Sequence, residues 1–212
     1  MSTPLLCEAT TAPEIVCVGE TMALVTPTDA QLSEATSARI GFGGAESNVS
    51  AGLAAVGHRA AWASRLGDDP FGVRISTDLE RRGVELWVEH DEDAPTGVMF
   101  KDPGAEGSAV YYYRRGSAAS RMARGYLSIE RLTGVKIVHT TGITPALSAS
   151  CREMVDHCSS MRARWAPSCR STSTIGARCG RSRMPRQLLP VSRTPPTSRS
   201  SDVTRPSVSG AQ

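Results

Sequence analysis

The sequence predicts an α/β fold with a mainly parallel sheet over its first three-quarters, followed by a segment without a fold of its own. Between residues 15 and 157, short β-branched runs alternate with amphipathic helical segments, the order expected when helices cover a parallel sheet. Residues 158–212 contain 12 Ser, 10 Arg and 6 Pro, a composition too poor in apolar side chains to offset chain entropy. We therefore expect a folded domain over residues 15–157 and a disordered tail over residues 158–212.

Buried strands are predicted where apolar and β-branched residues predominate, at residues 15–19, 60–66, 84–88 and 136–140. A further short strand is expected at residues 23–27. Residues 96–101 and 109–114 form two extended pieces separated by a turn-rich stretch, a pattern typical of a small antiparallel pair. These two pieces are expected to form part of a small β lid beside the main sheet.

Helices are predicted between the strands, within residues 43–57, with Gly57 as the C-cap, and over residues 71–82, ended by Gly83. The side chains expected to face the core are Val49, Leu53 and Val56 in the first helix and Ile75 and Leu79 in the second. A short helix is expected at residues 128–132. A longer one is expected at residues 147–157, with Ser148 or Ser150 as its N-cap.

The charge is distributed unevenly along the chain. Residues 1–157 have a net charge of −6, whereas residues 158–212 have a net charge of +9 with a single acid, Asp202. Ten arginines could attract phosphates, so one alternative is a non-catalytic sugar-binding protein with a basic, nucleic-acid-binding tail. That tail contains one aromatic residue, Trp165, and offers little for bases to stack on. We therefore expect no nucleic-acid partner.

Other features argue against several classes of protein. No apolar run approaches 18 residues, so no membrane span is expected, and the first residues lack the pattern of a secretory signal. The six cysteines include no CxxC pair, which argues against a zinc site and favours reduced thiols. A cytoplasmic protein without a metal site is the resulting expectation.

The stretch GGAESN, residues 43–48, is the most informative motif. Two glycines allow the backbone to approach a ligand closely, and the helix that follows directs free N–H groups toward that ligand. Asn48 adds an amide that can bind hydroxyl groups. The candidate binding residues here are Gly43, Gly44, Ala45 and Asn48. A glycine turn that only starts a helix remains the alternative.

The succession of motifs resembles the first half of the ribokinase (PfkB) family of sugar kinases. A strand ending at Gly19-Glu20 is followed by GGAESN, an alanine-rich helix, RLGDDPFG at residues 65–72 and a helix closing in RRGV. The resemblance implies a ribokinase-like three-layer sandwich with a small β lid. It also implies a site in which the GGAESN turn contacts the sugar.

Within that family, the sequence is most similar to the kinases of 2-keto-3-deoxygluconate. The similarity rests on YYYRRGSA at residues 111–118 and TGITPAL at residues 141–147. It implies that Tyr112 and Arg114 bind the acid sugar, and a guanidinium suits a carboxylate because it can bind it bidentately. Met99 stands where relatives have an aromatic residue, so a fructokinase- or ribokinase-type enzyme remains an alternative. The implied partner is a small sugar acid, and pairing of two chains through the lid strands is also implied.

The resemblance implies ATP and Mg²⁺ as cofactors, yet the motifs for them are missing. Relatives carry an Asp-x-Asn-x-Arg strand and a late Gly-Ala-Gly-Asp motif, whose aspartate is the general base. Neither motif follows Gly44 in this sequence. We therefore expect no catalytic residue and no nucleotide site in this chain, and an inactive product.

The tail suggests a reason for this absence. One allowed codon set for Ser168 to Gly176, read one frame over, encodes Val-Ser-Phe-Asp-Val-Asn-Tyr-Arg, which resembles the missing strand. The same shift yields family-like text at two further places in the tail. Our hypothesis is a reading-frame slip near His157 and Cys158, from a mutation or a sequencing error.

Overall fold

The computed structural model describes residues 12–104 and 107–165, with side chains described as far as Met161. In chain order, the elements of these ranges are β1 (Ile15–Val18), β2 (Met22–Pro27), β3 (Ala38–Gly43), α1 (Ala45–Ala55), β4 (Ala60–Gly67), α2 (Pro70–Arg81), β5 (Glu85–Asp91), β6 (Val98–Gly104), β7 (Gly107–Tyr113), a 3-10 turn (Ala118–Arg121), α3 (Ile129–Leu132), β8 (Ile137–His139), α4 (Thr144–Leu147) and α5 (Ala149–Trp165). The predicted alternation of strands and helices is confirmed.

The main sheet contains four parallel strands in the order β5-β4-β1-β8. Helices cover both of its faces, which gives three layers. On one face, Cys17, Trp62 and Leu66 pack against Ile75 and Leu79 of α2. On the other face, the sheet packs against α3, α5 and the segment that precedes α3. The side chains in this contact are Val16, Val18, Ala61, Met122, Leu132 and Met154.

Helix α2 follows the prediction closely. Its inward side chains Ile75 and Leu79 are 1% and 0% exposed, and the helix is followed by Gly83 with a φ of +79°, a conformation that favours glycine. Its N-cap is Asp69, whose carboxylate accepts hydrogen bonds from the backbone N–H groups of Phe71 and Gly72. A side-chain cap of this kind satisfies donors that the first helical turn leaves unpaired.

The predicted inward face of α1 is wrong for Val49 and Val56, whereas Leu53 does pack against the core. Val49 and Val56 are 38% and 72% exposed, and Leu53 is only partly buried. The buried side chains of the helix are Glu46, Ser47 and Ser50. The physical reason is close packing, since the first turn of α1 lies against the ends of β1 and β8, where only small or hydrogen-bonded side chains fit.

A second sheet combines β3, β2, β6 and β7 in that order. β2 pairs antiparallel with β3 and parallel with β6, and β6 pairs antiparallel with β7. The two predicted lid strands therefore belong to a larger, four-stranded lid, and its edge strand β3 was not predicted. The outer strand β7 exposes Tyr111, Tyr112 and Tyr113.

The last described helix, α5, begins after Ser148, whose Oγ accepts a hydrogen bond from the backbone N–H of Cys151 at 3.0 Å. Of the two predicted caps, the structure therefore uses Ser148. The helix continues past His157 to Trp165, so the predicted start of the disordered tail at residue 158 is too early. The physical reason is that Met161 is buried in the core beside the sheet. The remainder of the predicted tail, residues 166–212, lies outside the described residues, as do Ala105 and Glu106 in the predicted turn of the lid.

Candidate functional site

The carboxyl ends of β1 and β8 meet the first turn of α1, and we call this junction the crevice. Gly19, Glu20 and Thr21 follow β1, and Thr141 follows β8 closely. The N-cap of α1 is Gly44. In open α/β sheets, ligands bind outside the carboxyl ends of the strands, so the sheet places the predicted glycine turn where a ligand site is expected.

The close packing around residue 44 leaves room only for glycine. A Cβ atom built at this position would lie 2.4 Å from Thr21 Oγ1 and 2.5 Å from the backbone oxygen of Glu20. The backbone at Gly44 is extended, with a φ of −158°, a conformation open to any residue. The glycine therefore allows the backbone at the start of α1 to lie directly against the segment that follows β1.

Glu46 ties this helix start to the end of β8. Its carboxylate is buried, and Oε1 accepts hydrogen bonds from the backbone N–H of Thr141 at 2.9 Å and from the Thr141 hydroxyl at 2.7 Å. A Cβ at Gly19 would lie 2.2 Å from Glu46 Cδ, so Gly19 makes room for this carboxylate. The sequence interpretation passed over Glu46, although an acid in the first turn of a helix is itself a favourable placement.

Arg114 reaches the crevice from the end of β7. Its Nη2 lies 2.5 Å from Glu20 Oε2 in an ion pair, and Ser117 Oγ donates to Glu20 Oε1 at 2.5 Å. The guanidinium also lies 5.8 Å from the ring centroid of Tyr112, within the range of a cation–π contact. The two residues predicted to bind the acid sugar are thus neighbours, and Glu20 links them to the turn at Gly44.

The lid is held to the crevice by Asp69. Besides capping α2, its Oδ2 accepts a hydrogen bond from the backbone N–H of Thr96 at 2.7 Å, and Thr96 Oγ1 accepts one from the N–H of Gly67 at 3.0 Å. Burial acts to raise the pKa of Asp69, but the donations from Thr96, Gly72 and Phe71 outweigh it and hold that pKa below its usual value. These hydrogen bonds fix the position of the neighbouring Gly97, whose backbone oxygen accepts a hydrogen bond from the backbone N–H of Ala23 in β2.

The remaining predicted residues lie near the same turn. Gly43 ends β3, and a Cβ there would lie 2.8 Å from Met99 Cε, so Met99 covers the turn from the lid. Ala45 and Asn48 are exposed on α1. Asn48 also lines an open groove of about 490 Å³ along that helix, together with Ala51, Gly52, Ala55 and Arg82.

Three charged side chains therefore converge at the crevice: the carboxylates of Glu20 and Glu46 and the guanidinium of Arg114. Both carboxylates are buried. Burial raises the pKa of Glu20, the nearby Glu46 charge adds to that effect, and Arg114 and Ser117 oppose it. The arrangement provides a charged donor and buried acceptors beside a glycine turn, which is suited to a polar, hydroxylated ligand.

The family profile of pfkB carbohydrate kinases matches residues 12–173, more than half of the 212-residue chain. The chain belongs to the PfkB family of carbohydrate kinases. The resemblance stated from the motifs is thereby confirmed, and with it the ribokinase-like fold of the domain.

Curated relatives of this chain include kinases that are named for 2-dehydro-3-deoxy sugar acids. The 2-dehydro-3-deoxygluconokinase of Bacillus subtilis is 35% identical over 148 residues, covering 68% of this chain and 46% of the relative. The 2-dehydro-3-deoxygalactonokinase of Haloferax volcanii is 38% identical over 143 residues, covering 66% and 45%. The chain thus spans about half the length of the curated relatives it matches.

Solved PfkB structures show the same arrangement of the described domain. The PfkB protein of Polaromonas sp. JS666 superposes with a TM-score of 0.67 at 33% identity, covering 72% of this chain and 53% of the other. The 2-dehydro-3-deoxygluconokinase of Thermotoga maritima superposes with a TM-score of 0.66 at 28% identity, covering 72% and 48%.

Residues 12–104 and 107–165 contain no cluster of three or more His, Cys, Asp or Glu side chains placed to hold a metal ion. Among the helices of those ranges, none is long and apolar enough to cross a lipid bilayer.

Proposed function

We propose that this chain supplies the sugar-binding side of a PfkB kinase and binds the acid sugar 2-keto-3-deoxygluconate. The observation that carries the proposal is the position of Arg114, held beside Tyr112 and joined through Glu20 to the Gly44 turn. Gly43, Gly44, Ala45 and Asn48 would contact the sugar hydroxyls, and Arg114 would bind its carboxylate. A guanidinium presents paired N–H donors to a carboxylate, an arrangement that Lys cannot reproduce.

The second half of the reaction requires groups that we do not find in the sequence. Phosphoryl transfer depends on positioning and on charge stabilisation by Mg²⁺ and N–H donors, with a base to accept the sugar proton. No GxGD motif follows Gly44, and the described carboxylates Glu20 and Glu46 are committed to internal contacts. We therefore expect the chain to bind its sugar without transferring phosphate from ATP.

A second candidate is a neutral sugar, as in a fructokinase. The probable fructokinase-3 of Arabidopsis thaliana is 31% identical over 142 residues. In addition, Arg114 already has a carboxylate partner in Glu20, and a neutral sugar would not have to compete with that partner.

Titration calorimetry of the purified chain with 2-keto-3-deoxygluconate, fructose and ribose separates these candidates. We expect the acid sugar to bind most tightly. Arg114→Met should weaken its binding by roughly 10- to 100-fold, the worth of charge-assisted hydrogen bonds, and leave fructose unaffected. Arg124→Met, which removes an exposed arginine outside the crevice, is the matched control.

Equal binding of all three sugars, or tighter binding of fructose than of the acid sugar, would favour the neutral-sugar alternative. Loss of acid-sugar binding in Arg124→Met as well as in Arg114→Met would show a general charge effect in place of a specific contact.

A further inference from the structure

Glu20 forms the floor of the crevice, and its carboxylate is enclosed on every described side. Its side chain is 1% exposed. Arg114 Nη2 lies 2.5 Å from Oε2, and Ser117 Oγ donates to Oε1 at 2.5 Å. A Cβ at Gly97 would lie 2.9 Å from Oε1, so the backbone just before β6 lies close behind the carboxylate. Glu20 therefore cannot turn away from Arg114 into solvent.

The titratable groups that face Glu20 come from three elements. Arg114 approaches from the end of β7 and attracts the carboxylate, whereas Glu46 of α1 repels it. The Cys151 thiol of α5 senses the Glu20 charge, which contributes to raising the pKa of that thiol. With both carboxylates ionised, the crevice carries one more negative than positive charge, an unfavourable starting point for an anionic ligand.

Arg114 nonetheless keeps unused donor capacity. Its Nε is buried and makes no hydrogen bond to any residue in the described part of the chain. The Arg114 side chain as a whole is 23% exposed, so part of it is accessible to a ligand. A ligand carboxylate that reaches Arg114 would therefore share the guanidinium with Glu20, and two carboxylates on one guanidinium favour protonation of the more deeply buried one.

We infer that Glu20 is a specificity-determining residue, which neutralises Arg114 in the empty crevice and takes up a proton when a sugar carboxylate binds there. This inference rests on the proposed function, because it assumes that Arg114 receives the acid group. A neutral sugar brings no second carboxylate, so it binds without proton uptake. Glu20 thereby makes the preference for acid sugars depend on pH, and burial, which raises the pKa of Glu20, acts in the same direction.

Calorimetry of the unaltered chain tests the inference directly. A sugar acid has a carboxyl pKa of about 3.5 and stays ionised at both pH 6 and pH 8. A change in its affinity between these pH values therefore reflects titration of groups in the protein. We expect 2-keto-3-deoxygluconate to bind at least about tenfold more tightly at pH 6 than at pH 8. Titrations in two buffers of different ionisation enthalpy should show net proton uptake with the acid sugar and none with fructose.

Glu20→Gln gives the second arm, because the amide keeps the length of the side chain and removes its charge. We expect this variant to bind the acid sugar on the order of tenfold more tightly than the unaltered chain at pH 8 and to lose the pH dependence. Glu89→Gln makes the same charge change at a side chain that is 49% exposed and contacts Arg65, so its affinity should stay unchanged.

The outcomes are distinguishable. Acid-sugar binding that is independent of pH, without proton uptake, would overturn the inference and leave the proposed function standing. Weaker acid-sugar binding by a folded Glu20→Gln variant would also overturn it, since Glu20 would then only position Arg114. Absence of binding by both sugars would overturn the proposed function together with the inference. If Glu20→Gln does not fold, the buffer titrations of the unaltered chain decide.

Discussion

Replacing Gly44 by alanine should destabilise the folded chain, and the structure gives the size of the effect. The new Cβ would lie 2.5 Å from the backbone oxygen of Glu20 and 2.4 Å from Thr21 Oγ1, distances that force one of these segments to move. Overpacking of this kind costs about 1–3 kcal/mol. Alanine is also a poorer N-cap than glycine, by up to roughly 1 kcal/mol. We expect a loss of roughly 2–3 kcal/mol in the free energy of unfolding.

Gly52 of the same helix offers the matched control. A Cβ at Gly52 would meet no atom within 4 Å, and the residue lies in the interior of α1. Alanine there should stabilise the chain by about 0.5–1 kcal/mol, because it restricts the unfolded chain and favours the helix. The same chemical change, eight positions apart on one helix, is thus expected to have opposite signs.

Urea unfolding followed by far-ultraviolet circular dichroism measures both variants, and thermal unfolding should show shifts of about 2–4 °C for each kcal/mol. Calorimetry with 2-keto-3-deoxygluconate should in addition show weaker binding for Gly44→Ala only, since the glycine turn would move relative to Glu20. A Gly44→Ala variant as stable as the unaltered chain would refute the claim that Gly44 serves close approach. Equal losses in both variants would point to a general sensitivity of α1.

Three further results are expected. Asp69→Ala removes the cap of α2 and the acceptor for the Thr96 N–H, so it should lower the free energy of unfolding by about 2 kcal/mol, measured in urea. A loss below about 0.5 kcal/mol would contradict this role of Asp69. The Asp91 carboxylate forms ion pairs with Arg121 at 2.8 Å and Arg65 at 3.2 Å. Burial acts to raise the pKa of Asp91, but these contacts hold that pKa below its usual value. Its contribution is present above the unfolded pKa of about 4 and is lost as the pH falls through the folded pKa, so acid unfolding should be shallower in Asp91→Asn; an unchanged slope would refute this. Sequencing the gene across the codons for residues 156–160 should reveal the frame slip, with the alternative frame open over a length comparable to the part of the curated relatives that this chain does not match. Early stops in that frame would contradict the hypothesis.

Much of the fold could be predicted because its signals are local. The β-branched run of β1 and the spacing of Ile75 and Leu79 in α2 report burial directly. By contrast, α1 buries Ser47 and Ser50 and exposes Val49, because its contact with the sheet demands small side chains. A hydrophobic pattern cannot reveal a helix face chosen by close approach.

The candidate site was predicted only in part for a similar reason. Its glycine turn and Arg114 stand out in short motifs. The partners that connect them do not, because Glu20 and Ser117 are 97 positions apart and Glu46 and Thr141 are 95 positions apart. Edge strand β3 was missed because half of residues 38–43 are exposed and the segment gains its structure from pairing with β2.

The central proposal is that this chain holds a sugar acid but does not phosphorylate it. The most direct test incubates the purified chain with ATP, Mg²⁺ and 2-keto-3-deoxygluconate and measures phosphorylated sugar, beside the Bacillus subtilis 2-dehydro-3-deoxygluconokinase as a positive control. We expect no product above the enzyme-free blank from this chain, although calorimetry should detect bound sugar. Turnover in the ordinary kinase range of about 1–100 per second would contradict the account.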